Sequence, residues 1–320
     1  MPAEIAKKDF RDAFFDALYD LALRDERIVL LSDDFGAPSL DKYRSDIKSR
    51  YFNIGIAEQN MIGLAAGLAL SGKIVFAYAI APFITLRCFE QVKIDLCLMN
   101  LHVNLIGVGA GFSYGTAGPT HHAVEDISVM RTLPNISIYC PADAMSAAAL
   151  ARVSLEESGP KYLRFDRGIT PSVYTQRDHF SASEGFGTLS RGDSLCILAT
   201  GKITGTALSV ANRLRELHNV HASVIDVNRL KPFNVDRFLS VARTAKGIVT
   251  LEEHILAGGL GSIVAEIMCD HAVYKPLWRF GVTEKAAHLY ENVIDSQRIF
   301  GLDTDSLVQR IAANMAKDLP

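Results

Sequence analysis

From Asp9 to about Asp25, apolar residues recur at three- and four-residue spacing, with Phe10, Phe14, Ala17, Leu18 and Leu21 on one stripe, which predicts an amphipathic helix. The run Ile28 to Leu31 is short and continuously apolar, the pattern of a strand covered on both faces of a parallel sheet. Similar runs recur at 73–79, 103–108, 136–139 and 162–164, and helical patterns separate them at 57–70, 83–98 and 142–155. This alternation predicts a three-layer α/β domain with a mostly parallel sheet over residues 1–175. The segment 168–187 is rich in Gly, Ser, Thr and Pro, lacks periodicity and reads as a connection. A second α/β unit follows over 190–320, with strands at 195–199, 222–227, 247–251 and 277–282 and helices near 204–217, 235–245, 261–269 and 303–316. The expected fold class is therefore two three-layer α/β domains with mostly parallel sheets.

Composition narrows the partners. A chain of 320 residues, 49% hydrophobic and 22% charged, has the make-up of a soluble globular protein of two domains. Its formal net charge of −3 gives no basic footprint for nucleic acid and no polybasic face for a membrane, which points to small molecules and protein partners. Five cysteines, at 88, 97, 140, 196 and 269, are odd in number and widely spaced with no CxxC pair, so neither a disulfide framework nor a zinc knuckle is expected, and a reduced cytoplasmic setting is. The opening MPAEIAKKDFRDAF is too charged for a signal peptide, and no run approaches the roughly 18 to 20 apolar residues of a membrane span.

Four stretches carry candidate chemistry. In Asn53 to Asn60 a carboxylate, Glu58, sits where a glycine-containing turn becomes a helix of small residues, Gly63, Ala65, Ala66, Gly67 and Ala69. Another backbone can approach such a helix closely and leave Glu58 in a dry crevice; the alternative is an ordinary first-turn glutamate favoured by the helix dipole. In Gly118 to Asp126, His121 and His122 are followed by acids and preceded by Gly107, Gly109 and Gly111. A loop of this kind at a strand's C-terminal end is where open α/β sheets place ligands, and a histidine there exchanges protons near neutral pH. For His122, a bond to the loop's own backbone is at least an equal reading. Two adjacent histidines alone do not make a metal site. Phe83 to Gln91 begins a helix with aromatic and cationic residues, Phe83 being suited to stack on a heteroaromatic ring or to fill the core. Arg164-Phe165-Asp166-Arg167-Gly168 ends a strand with two arginines suited to a phosphate or carboxylate, or to a structural Arg–Asp pair.

GIAEQN, GPTHHAVEDISVMRTLPNI and RFDRG, in that order and spacing, resemble the second half of transketolases and deoxyxylulose-phosphate synthases, and more distantly the beta subunits of 2-oxo-acid dehydrogenases. TLEEH at 250–254 with Gly258, Gly259, Leu260 and Gly261 resembles the C-terminal domain of the same superfamily. The resemblance implies a pyrimidine-binding thiamine-diphosphate fold followed by a transketolase C-terminal domain. It implies that Glu58 hydrogen-bonds N1′ of the cofactor's aminopyrimidine and so promotes loss of the thiazolium C2 proton. Phe83 would stack on the pyrimidine, with Phe89, Arg87 and Asp34 as further cofactor contacts. His121 would act on substrate oxygens, and Arg167 and Arg164 would hold a substrate phosphate.

Relatives of full length hold the diphosphate through Mg²⁺ (or Ca²⁺) on a Gly-Asp-Gly motif, which this sequence lacks; Gly192-Asp193-Ser194 reads as a turn. The resemblance therefore implies an N-terminal partner subunit carrying the metal site, an α2β2 assembly, and ketol transfer between phosphorylated or otherwise modified sugars. A 2-oxo-acid dehydrogenase beta subunit and a non-catalytic regulatory partner are the alternatives. Two positions depart from the transketolase pattern: Ala117 stands where those enzymes carry an aspartate that reads a sugar hydroxyl, and Gly109 where many carry a substrate-facing histidine. Weaker selection for the usual hydroxyl configuration is expected.

Overall fold

In a computed structural model, the structure describes residues 5–174 and 180–319. Residues 1–4 of the charged opening, 175–179 within the connecting segment and the final Pro320 lie outside the described residues. Strands β1 (Ile28–Ser32), β2 (Tyr51–Asn53), β3 (Ile74–Ile80), β4 (Val103–Val108), β5 (Ser137–Tyr139) and β6 (Lys161–Phe165) form a parallel sheet. Their continuous apolar runs follow from burial on both sides. Val29, Leu31, Val75 and Ala77 face one core with helix Glu58–Leu70, while Ile28, Leu30, Phe76 and Tyr78 face the other with helices Phe10–Ala22 and Ala144–Glu156. Asp9 caps the first of these helices by accepting from the Arg11 amide at 3.0 Å.

The second sheet contains β7 (Phe186–Ser190), β8 (Leu195–Ala199), β9 (Ala222–Val227), β11 (Gly247–Ile255) and β12 (Leu277–Val282), in the order β12-β11-β8-β9-β7, all parallel except β7. Both sheets and their helices match the expected class. Three short strands escape the hydrophobic pattern: β2, β7 and β10 (Arg229–Lys231). β10 leaves its own unit and pairs antiparallel with β5 at the edge of the first sheet, giving the order β10-β5-β6-β4-β3-β1-β2. One hydrophobic core runs through both units, joining Leu105, Ile127 and Ile138 to Leu198, Ile225 and Phe238. No helix among the described residues is long and apolar enough to cross a membrane.

The helical stretch 83–98 is irregular. Two π-helical segments, Phe83–Arg87 and Val92–Leu98, flank a short α turn, Phe89–Gln91. Such wide turns are rare and concentrate at functional sites.

Candidate active site

Glu58 is the first residue of its helix and only 1% exposed, although no side chain caps that helix start. A buried carboxylate needs a partner. The partner is Arg87, whose Nη1 donates to both carboxylate oxygens at 2.8 Å. The π turn carries Arg87 back toward Phe83, so that the guanidinium carbon lies 4.1 Å from the centre of that ring.

His121 stands edge-on to the same Phe83 ring, with centroids 5.3 Å apart, and its Nδ1 lies 3.0 Å from the Thr120 hydroxyl. On its other side the Tyr114 ring lies 5.7 Å away, and Arg167 places its guanidinium 4.7 Å from the Tyr114 ring centre. Glu58, Arg87, Phe83, His121, Tyr114 and Arg167 thus form one chain of contacts along the C-terminal ends of β3, β4 and β6, where ligands of open α/β sheets bind.

The adjacent histidines have separate jobs. His122 is buried and donates from Nε2 to the Gly115 carbonyl at 2.8 Å, the backbone-bonded alternative, and burial pushes its pKa down. His121 faces the cleft.

Three expected site residues sit elsewhere. Arg164 is 2% exposed and uses its donors internally: Nε on Asp126 at 2.7 Å, Nη2 on the carbonyls of Ala123 at 2.8 Å and Glu253 at 3.2 Å. It belongs to the structural pair rather than to a phosphate site, and its acid is Asp126, which also accepts from Tyr162 at 2.6 Å, not Asp166 of its own motif. Phe89 is half-buried against the larger core beside residues such as Ile54 and Leu68. Asp34 points outward and accepts from Asn53 Nδ2 at 3.1 Å.

Its neighbour Asp33 is the acid that turns inward. Asp33 is 5% exposed, its Oδ1 has no hydrogen-bond partner, and burial, reinforced by the nearby Glu58 charge, pushes its pKa up to about 7. The alternation of side chains at the end of β1 separates the two acids, and only the register of that strand decides which faces in.

Tyr114 is the second residue absent from the sequence-derived set. Gly109 has φ +98°, and a Cβ there would lie 2.0 Å from the Tyr114 ring, which fills the space a side chain at 109 would need. The Tyr114 hydroxyl is buried without a partner, and burial pushes its pKa up to about 12. The exchange of a large residue at 109 for one at 114 is invisible in an ungapped comparison.

The second unit grips the histidine loop from behind. Phe112 packs edge-on to His122 at 5.2 Å and stacks on Phe300. Ile255 N–H donates to the Val124 carbonyl at 2.8 Å, and Gln297 donates to buried Glu253, whose other oxygen lies 3.5 Å from Phe112 N. His254, pushed down to about 4 by burial, donates from Nδ1 to the Ile255 carbonyl and accepts from Ser128 N–H at Nε2.

These residues fit an aminopyrimidine: a planar aromatic face at Phe83, a buried carboxylate at Glu58, and an unpartnered buried carboxyl oxygen at Asp33 for a ring nitrogen or amino group. They do not fit a metal ion. No cluster of three His, Cys, Asp or Glu side chains suited to one occurs among the described residues.

Comparison with known proteins agrees with this reading. Residues 6–172 match the family model described as transketolase, pyrimidine binding domain, and residues 187–306 match transketolase, C-terminal domain. One of the two subunits of an apulose-4-phosphate transketolase, from Phocaeicola vulgatus, is 35% identical over 303 residues, covering 93% of this chain and 94% of its own. The 6-deoxy-6-sulfo-D-fructose transketolase subunit of Clostridium sp. strain MSTE9 is 34% identical over 86% of this chain and 84% of its own. A solved structure described as split gene transketolase, inactive beta4 tetramer, superposes with a TM-score of 0.84 at 33% identity, covering 97% of this chain and 98% of that one.

Proposed function

This chain belongs to the transketolase family, and on that premise we propose that it is the pyrimidine-side subunit of a split transketolase, transferring a two-carbon ketol unit between sugars that end in an anionic group. It is a thiamine-diphosphate-dependent transferase that acts with a partner subunit. Glu58 carries the reading: a carboxylate 1% exposed, at an uncapped helix start beside an aromatic face, serves no structural need that a neutral residue would not meet at lower cost. The acyl-transferring 2-oxo-acid dehydrogenase alternative is not favoured, since both matching models and the similar relatives carry transketolase names.

When bound, thiamine diphosphate supplies the nucleophilic carbon that carries the ketol unit. The residues of this chain prepare its place. Glu58 accepts a hydrogen bond from, and shares a proton with, the pyrimidine ring nitrogen; Phe83 offers its face; Asp33 holds a second polar edge. His121, fixed between Phe83 and Tyr114, donates to or accepts from substrate oxygens. Arg167, half-buried at the cleft wall, pairs with the anionic end of the sugar. The two relatives named above carry a phosphate and a sulfo group in their substrate names, and one guanidinium suits either anion.

The partner subunit supplies Mg²⁺ and the diphosphate site, in an α2β2 complex. The surface supports a protein partner here. Ile56, Leu64, Leu70, Leu86, Ile94 and Leu98 are exposed on helix Glu58–Leu70, its lead-in and the neighbouring stretch 83–98, and Gly63 and Gly67 open the helix to close approach. The test is reconstitution. The chain alone is expected to show no ketol transfer, and addition of its partner and Mg²⁺ to restore it; robust turnover by the chain alone, free of host transketolase, rules the reading out.

A further inference from the structure

The arrangement around Glu58 already contains a planar cation. Arg87 donates to both Glu58 oxygens at 2.8 Å and lays its guanidinium 4.1 Å from the Phe83 ring centre. These are the two contacts, carboxylate and aromatic face, that the proposed pyrimidine would make. A guanidinium is flat, delocalised and rich in N–H donors, as a protonated aminopyrimidine is, and it stacks on aromatic rings for the same electrostatic reason. We propose that Arg87 is a stand-in for the cofactor's pyrimidine: it occupies Phe83 and Glu58 in the free subunit and swings out when thiamine diphosphate arrives. The inference rests on the cofactor reading given above and adds a competing occupant to that site.

The physical cause is the cost of leaving Glu58 alone. A carboxylate 1% exposed, with Asp33 and Cys88 as its other titratable neighbours, has no cation but Arg87 bonded to it among the described residues. Without a counter-charge it would be strongly disfavoured. Arg87 is built to leave: its side chain is 42% exposed against 1% for Glu58, so the head group can return to water while the acid cannot. It sits on a π-helical segment, where the backbone ladder is less tightly bonded than in an α-helix. Cofactor binding is then an exchange of one cationic plane for another, and the apparent affinity is lowered by the fraction of subunits in which Arg87 is still in place.

The test uses the chain reconstituted with its partner and Mg²⁺, with thiamine diphosphate as the probe, and compares wild type with Arg87→Met and Arg87→Lys. Cofactor affinity is read by calorimetry and association by stopped-flow fluorescence. If the released state is about one tenth populated, Arg87→Met binds the cofactor about tenfold more tightly. Its observed association rate rises linearly with cofactor concentration, whereas that of wild type reaches a plateau set by release of Arg87. Arg87→Lys, which keeps the charge but loses the plane, falls between the two and guards against a folding defect in the methionine variant. Weaker binding by both variants, with the wild-type kinetics unchanged, shows that Arg87 holds the cofactor rather than its place and overturns the inference. Absence of cofactor binding by reconstituted wild type overturns the cofactor reading itself, which separates the two failures.

Discussion

Phe112 and Phe300 stack face to face, with ring centroids 5.4 Å apart and planes 6° from parallel, and join the two units directly behind the histidine loop. Phe112 precedes the GPTHH turn and packs edge-on to His122, so the C-terminal unit fixes the loop that presents His121. A domain with no residue in the cleft thereby acts on the cleft.

Phe300→Ala is accordingly expected to cost about 3 kcal/mol of stability, the ordinary price of truncating a buried phenylalanine. It should also lower kcat of the reconstituted enzyme, because the His121 loop loses its backing, while cofactor affinity stays close to wild type. Chemical denaturation and steady-state kinetics check the two halves separately. Loss of stability with unchanged kcat would mean that the loop holds its shape without the second unit.

Glu58→Gln keeps size and burial but removes the proton that the acid shares. Ketol transfer should fall by about 10²–10⁴-fold, the usual range for a positioned acid–base group, with assembly intact by gel filtration. Exchange of the cofactor's C2 proton in the reconstituted complex measures the effect most directly. Exchange near the wild-type rate would remove Glu58 from its assigned role.

Asp33 gives a pH signature. Its pKa is raised from an ordinary 3.8 to about 7, so the folded chain holds this proton more tightly than the unfolded chain does. The stability it contributes is full below about pH 4 and is lost as pH rises through about 7, to a ceiling of about 4 kcal/mol for a shift of this size. Asp33→Asn lacks this loss, so its melting temperature should gain on wild type between pH 5 and pH 8. Asp226 and Glu252, also raised to about 7 by burial, are present in both proteins and cancel in the difference. Parallel melting curves across that range would place Asp33 in water or against a cation.

Ala117 is exposed at the end of the turn Gly115–Ala117, next to Gly118, which lies against Tyr290 of the second unit: a Cβ at 118 would come within 2.2 Å of the Tyr290 ring. Restoring an acceptor with Ala117→Asp should raise kcat/KM for xylulose 5-phosphate over deoxy or branched analogues by about tenfold, near the lower end of what one buried hydrogen bond to a hydroxyl contributes. A strong wild-type preference for xylulose 5-phosphate, unmoved by the substitution, would show that position 117 does not read the sugar.

Glu58 was legible because a carboxylate among glycines and alanines at a helix start has few structural reasons to be there, and the strands were legible because two-sided burial writes itself as continuous apolar runs. Arg164 was misread because its partner, Asp126, lies 38 residues away, and a buried ion pair formed across strands leaves no local pattern. Asp33 and Asp34 are adjacent acids whose opposite orientations depend on the strand's register. Tyr114 escaped notice because its role is to fill the volume vacated at Gly109, and steric complementarity between loop positions has no periodicity to read.

Strand β10 bears on how such enzymes can be assembled from parts. Its backbone closes the edge of a sheet whose other strands come from the first half of the chain, and Lys231 donates across the junction to the carbonyls of Arg131, at 2.9 Å, and Leu133. A gene break between the two units would strip β5 of its neighbour and expose a bare strand edge, an invitation to aggregate. Recombination can therefore trade these two halves only as a linked pair, whereas the side that faces the partner subunit meets it through side chains alone and is free to change company.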